Sequence, residues 1–131
     1  LTETGAASFI AENIINLLSA YPYLVILVVV VLTIFLSELM SNAAATGAIL
    51  PIALTTFISL GLSAKMGMYV VALPSAFAFM FIIGTPGSAM VYDTDLLRTK
   101  DFLKPGLTLN LIGIAIFMTI GLGWWKLIGL W

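Results

Sequence analysis

The chain has 131 residues, 62% hydrophobic and 8% charged, with a net charge of −1 and a mean hydropathy of +1.19. A soluble domain carries roughly 45–50% apolar and about 25% charged residues, so this composition excludes both a soluble globular fold and intrinsic disorder and describes an integral membrane chain. The lack of Cys and His removes disulfides, thiolate chemistry and the commonest general base and transition-metal ligand, and no basic run suits nucleic acid.

The chain opens on Leu1-Thr2-Glu3-Thr4, with no Met and no signal-peptide n-region, as expected of the interior or C-terminal part of a longer chain. Phe9, Ile10, Ile14, Leu17 and Leu18 then recur at helical spacing, with Glu12, Asn13 and Asn16 between them. This spacing predicts an amphipathic half-helix, and residues 1–22 form one unit of half-helix and connection. Tyr21-Pro22-Tyr23 breaks the pattern, and its paired tyrosines suit a membrane surface.

Residues 24–40 are apolar except for Thr33, Ser37 and Glu38. The run is rich in Val and Ile but lacks the two-residue alternation of a barrel strand, so in lipid it reads as helix. Small residues from Ser41 to Gly47 interrupt it, and a second apolar stretch covers 48–62, with Pro51 near its start. After a connection at 63–67, a third stretch runs over 68–83, breaks at Gly84-Thr85-Pro86-Gly87-Ser88, and resumes over 89–92. A charged loop at 93–104 precedes the last transmembrane helix, expected to start at Pro105 and to end by 131 on interfacial Trp124, Trp125 and Trp131. Phe77, Phe79 and Phe81 read as packing or lipid-facing residues. Asp93 and Asp95 read as helix caps or loop charges rather than a catalytic pair.

The fold class is thus all-α: a polytopic membrane fragment with a hairpin, a broken helix and a final transmembrane helix. Arg98, Lys100 and Lys104 share one loop, which the positive-inside rule places in the cytoplasm, with the C-terminus outside. Reading back along the chain, Lys65 lies outside. The stretch at 24–62 then reads as a re-entrant hairpin with a Ser-Asn tip, since two full spans would need an unusually small, charge-free inner loop at 41–46.

Two helix breaks inside apolar sequence are the best sequence pointer to a transporter site, because unwound backbone offers carbonyls to cations and helix N-termini to anions. The competing reading is two ordinary surface loops. Glu38 favours the site, because a carboxylate in an apolar helix costs ~2.5–3.5 kcal/mol on insertion scales and faces a polar partner. Its first reading is a buried structural carboxylate taking backbone donors at the hairpin tip; its second is a coupling-ion or proton site.

At these residues the chain resembles a known family. Ser37-Glu38-Leu39-Met40-Ser41-Asn42-Ala43-Ala44-Ala45-Thr46, followed by Leu50-Pro51-Ile52, resembles the second Ser-Asn-Thr hairpin of the divalent anion:sodium symporters, the sodium-coupled dicarboxylate, citrate and sulfate carriers. Ala78-Phe79-Met80 leading to Gly84-Thr85-Pro86-Gly87-Ser88-Ala89-Met90-Val91 is similar to that family's Thr-Pro-Pro-Asn break. Asp101-Phe102-Leu103-Lys104-Pro105-Gly106 with Leu109-Asn110-Leu111-Ile112-Gly113 looks like the start of its final helix. The three motifs stand in order over roughly residues 5–125.

The resemblance implies two inverted repeats, of which this chain is the C-terminal part of the second. It implies a homodimer in the plasma (inner) membrane that carries a small anion and Na⁺ by alternating access, completed by the N-terminal part of the same transporter. It also implies a sodium site of backbone carbonyls near Ser37, Met40 and Gly84 with the Asn42 side chain, and a substrate side of Asn42, Ala43, Thr85 and Pro86. Two departures, Ala43 for Thr and Gly87-Ser88 for Pro-Asn, remove donors and leave sulfate, dicarboxylate or another oxyanion open. An enzyme is not expected. The alternatives are a proton-coupled carrier, with Glu38 carrying the proton, and a non-transporting scaffold subunit.

Overall fold

The computed structural model describes residues 13, 21–83, 86–93 and 98–130, so all of the 5–20 half-helix except Asn13 lies outside the described residues. Among the described residues the regular structure is all helical. Helix α1 spans Pro22–Leu39. It begins at Pro22 rather than at 24 because proline is pre-set for the first helical position, where no N–H is needed.

The break after α1 is confined to Met40 and Ser41, both extended, and helix α2 spans Asn42–Ser59. Residues 43–47, expected to be part of the break, are helical. The Ser41 hydroxyl caps α2 by accepting the Ala44 N–H at 3.2 Å, and the alanines that follow are the best helix formers. At its far end Leu62 N–H bonds the Phe57 carbonyl at 2.9 Å and Gly61 N–H bonds that of Ile58 at 3.0 Å. Gly61, at φ 72°, supplies the left-handed residue that this helix stop requires.

Helix α3, Ala64–Ala72, is much shorter than the predicted stretch of 68–83. Pro74 stops it and opens a single 3₁₀ turn, Pro74–Ala76. From Phe77 to Ile83 the chain has no helix, and α4 covers Pro86–Tyr92. The break therefore begins well before Gly84, while its second half-helix starts at Pro86 rather than at Ala89.

Helix α5, Thr99–Ile116, passes through a π turn at Phe117–Gly121 into α6, Leu122–Leu127. It begins at Thr99 instead of Pro105, so the end of the expected loop is helix. Its first turn is held by Asp101, whose carboxylate accepts the Arg98 N–H at 2.7 Å while its own N–H bonds the Arg98 carbonyl at 2.8 Å. Among the described residues three stretches, α1, α2 and the continuous Thr99–Leu127 rod, are long and apolar enough to cross a membrane. At 1.5 Å per residue the 18-residue helices α1 and α2 rise about 27 Å, slightly short of a ~30 Å hydrocarbon core.

Val25, Ile26, Val29, Val30 and Ile34 of α1 meet Ile49, Ala53 and Phe57 of α2 and Met66, Val70 and Val71 of α3 in one apolar core. Phe117, Leu122 and Trp125 complete it. Gly67 of α3 faces Leu54 and Phe57 of α2, where a Cβ would make ordinary van der Waals contact at 3.4–3.5 Å. The π turn sets the register of the last three core residues. Leu122 N–H reaches back to the Phe117 carbonyl, and the extra residue in the turn keeps Leu122 and Trp125 on the face of Phe117. Trp125 is accordingly 9% exposed and edge-on to Phe117 at 5.4 Å, a core residue rather than the expected interfacial anchor. Trp124 is 61% exposed, and Trp131 lies outside the described residues.

Candidate functional site

At the tip between α1 and α2, two helix ends meet across Met40 and Ser41. Met40 N–H bonds the Leu36 carbonyl at 3.0 Å, so the carbonyls of Ser37, Glu38 and Leu39 have no intrahelical donor left. On the other side, Ser41 satisfies the Ala44 and Ala45 N–H groups through its hydroxyl and carbonyl. The N–H groups of Asn42 and Ala43 remain at the positive end of an 18-residue helix. One corner thus offers carbonyl oxygens suited to a hard cation and amides suited to an anion.

Asn42 opens α2, and its Oδ1 is buried without a hydrogen-bond partner among the described residues. A buried amide oxygen left unpaired costs about 1–3 kcal/mol unless something else meets it. Ala43 is exposed beside it and brings no side-chain donor. Ser37 is fully buried, and its hydroxyl bonds the Ile34 carbonyl at 2.9 Å, so only its backbone is free to act at the tip.

Glu38, 1% exposed, is the link between the tip and the second break. Its Oε1 accepts the N–H of Phe79 at 2.8 Å and of Met80 at 2.9 Å, and Oε2 accepts that of Phe81 at 3.0 Å. Oε1 also takes the Nδ2 of Asn110 at 2.7 Å. The donors therefore come from the unwound 77–83 segment and the last helix, not from the hairpin tip where sequence placed them. The reason is Pro74: the helix it ends leaves the following amides without helical acceptors, and a carboxylate, with two acceptor oxygens, can take several at once.

The last helix approaches this segment on a stripe of Gly106, Asn110 and Gly113, spaced to share one helix face. A Cβ on Gly106 would collide with the Phe79 carbonyl and stand 2.6 Å from Met80 Cα, so only glycine allows this approach. One turn beyond Asn110, Gly113 receives the Phe77 ring, which stacks on Phe79 at 6.3 Å between centroids. Asn110 and Gly106 escaped the sequence reading as site residues. The available signal was an amide flanked by glycines at helical spacing in an otherwise apolar helix.

Ser37, Met40, Asn42 and Ala43 are thus grouped at the tip, and Glu38 ties that tip to residues just ahead of the second motif. Pro86 opens α4 and is exposed. Gly84 and Thr85 lie outside the described residues.

Residues 1–131 match the family described as the sodium:sulfate symporter transmembrane region. The chain belongs to that family. It is 28% identical over 120 residues to the sodium-dependent dicarboxylate transporter SdcS of Staphylococcus saprophyticus, covering 92% of this chain and 23% of that protein. It is 30% identical over 118 residues to the Na(+)/citrate cotransporter of Rattus norvegicus, covering 89% of this chain and 21% of that protein. An uncharacterized transporter of Haemophilus influenzae is 29% identical over 126 residues, covering 95% of this chain and 27% of that protein. The symporter-family chain therefore spans about a quarter of the length of these relatives. No solved structure matches it at a significant level. Its family is one of anion transporters, not enzymes, and its apolar helices make it an integral membrane protein.

Proposed function

We propose that this chain forms the second half-site of a carrier that moves a small divalent anion, a dicarboxylate or sulfate, together with Na⁺. The observation that carries the reading is the tip itself, which among the described residues has free carbonyls and the unpartnered Asn42 Oδ1 on one side and free amides of Asn42 and Ala43 on the other. An all-oxygen donor set suits Na⁺, and a helix N-terminus can hold a dianion without arginine. The carbonyls near Ser37, Met40 and Gly84 with Asn42 would hold the cation. Asn42, Ala43, Thr85 and Pro86 would face the anion. The names of the dicarboxylate and citrate relatives fit a carrier of a small carboxylate anion.

In this reading residues 24–62 re-enter the membrane from the outside, the C-terminus lies outside, and the N-terminal part of the same carrier supplies the opposite half-site within a homodimer. Substrate and cation cross by alternating access, with the tip and the unwound segment moving together because Glu38 joins them.

The Glu38 geometry supports sodium over proton coupling. Four N–H donors from two other elements tie the carboxylate into the structure, as suits a fixed anchor between them. The test is uptake by the full-length carrier in proteoliposomes, with labelled succinate and labelled sulfate offered in parallel. Sodium-driven uptake of either supports the reading and selects the substrate. Uptake driven by a proton gradient and indifferent to Na⁺ overturns the coupling, and no uptake of either anion by a folded carrier overturns the substrate class.

A further inference from the structure

We propose that Asn110, on the last helix, is a positioning residue for the ion site: acting through Glu38, it sets where the unwound 77–83 segment lies and hence the apparent affinity for Na⁺. The inference rests on the sodium-coupled reading for its transport readout alone. Asn110 is 3% exposed and donates its Nδ2 to Glu38 Oε1, the same oxygen that receives the amides of Phe79 and Met80. It touches neither the tip nor the second motif among the described contacts.

Three features make this more than packing. The amide stands in a helix whose neighbouring faces are apolar, where a leucine would fill the space without leaving a polar atom. Its Oδ1 is buried without a partner among the described residues, so the residue carries an unmet polar atom while making one bond to Glu38. Finally, Gly106, one turn before it, brings the helix backbone directly against Phe79 and Met80. Glycine and amide together press one helix onto the segment and fix the carboxylate that holds its amides. Without the Asn110 bond, Glu38 keeps its three backbone donors but gains freedom to shift with them. The binding-competent position is then occupied for a smaller fraction of the time, and apparent affinity falls by that fraction.

The full-length carrier, freed of other cysteines, carries Asn110→Leu and, in parallel, Asn110→Ser. The serine hydroxyl is too short to reach Glu38, and its small volume guards against misfolding by overpacking. Half-saturating Na⁺ is expected to rise about tenfold, with the maximal rate per inserted carrier within about twofold.

A readout independent of transport is thiol labelling in Na⁺-free membranes. Ile83→Cys, at the exposed end of the segment, should label faster when Asn110 is replaced, whereas Ile58→Cys on α2 should not change. Unchanged Na⁺ half-saturation with unchanged Ile83→Cys labelling, in a variant that inserts normally, overturns the proposal. If the wild type takes up neither anion, the sodium-coupled reading has failed, and the labelling pair alone decides the role of Asn110.

Discussion

The Glu38 carboxylate and the Asn110 amide meet at 2.7 Å across 72 residues of sequence, and this bond joins helix α1 to helix α5. Three backbone amides of the unwound segment converge on the same carboxylate. The segment's position is therefore set by side chains from two other elements.

Glu38 should be the most sensitive buried position. Glu38→Ala leaves four neutral donors without an acceptor and is expected to destabilise the carrier strongly, since one unsatisfied buried donor alone costs about 1–3 kcal/mol. Glu38→Gln keeps one oxygen but turns an amino group toward the Phe81 N–H, for a smaller loss of about 1–3 kcal/mol. Thermal unfolding of the purified carrier in detergent should rank wild type above Gln and Gln above Ala. Equal midpoints for all three would show that the carboxylate does not hold the segment.

Gly106→Ala should displace the unwound segment, because the new methyl group overlaps the Phe79 carbonyl, which is backbone and cannot rotate away. Overpacking of this kind typically costs about 1–3 kcal/mol. Gly123→Ala, where a Cβ meets nothing within 4 Å, is the matched control and should be neutral or slightly stabilising. The comparison is read from unfolding midpoints together with Na⁺ half-saturation.

Na⁺ should stabilise the wild-type carrier by mass action, by about 2.7 kcal/mol at a hundredfold excess over its dissociation constant. Asn42→Ala removes the unpartnered oxygen at the tip and should abolish most of this shift without lowering the Na⁺-free midpoint. Midpoints at graded NaCl against matched KCl separate the specific effect from ionic strength. Retention of the full Na⁺ shift by Asn42→Ala would remove this side chain from the cation site.

Ser41→Ala should cost about 0.5–2 kcal/mol through loss of the α2 cap, and Ser41→Gly only a few tenths. Hydrogen exchange of the first turn of α2 is the direct measurement, with faster exchange at Ala44 than at mid-helix positions in the Ala variant.

The two tryptophans of the last helix should behave differently. Trp125→Ala empties a core position beside Phe117 and Tyr69 and is expected to cost about 3–5 kcal/mol. Trp124→Ala, on an exposed face, should change stability within about 0.5 kcal/mol. Similar losses at both positions would contradict the register that the π turn imposes.

Composition alone determined that this chain is a membrane protein, because so few charges cannot cover a water-facing surface, and in lipid the Val- and Ile-rich run over 24–40 could be read only as helix or barrel strand. Local chemistry also marked both breaks, since Ser41 and Pro86 shape the backbone through their own atoms. The break widths were less legible. The alanines after Ser41 continue the helix, while Pro74 starts the second interruption ahead of the glycine and proline that marked it in sequence. Trp125 looked like an interfacial anchor because a π turn that shifts its face leaves no clear trace in hydrophobic spacing. Only the tertiary structure decided what Glu38 does. Helical spacing relates a residue to neighbours three or four positions away, whereas the amides of 79–81 and the side chain of Asn110 reach Glu38 only after Pro74 has unwound one segment and Gly106 has let another helix press against it.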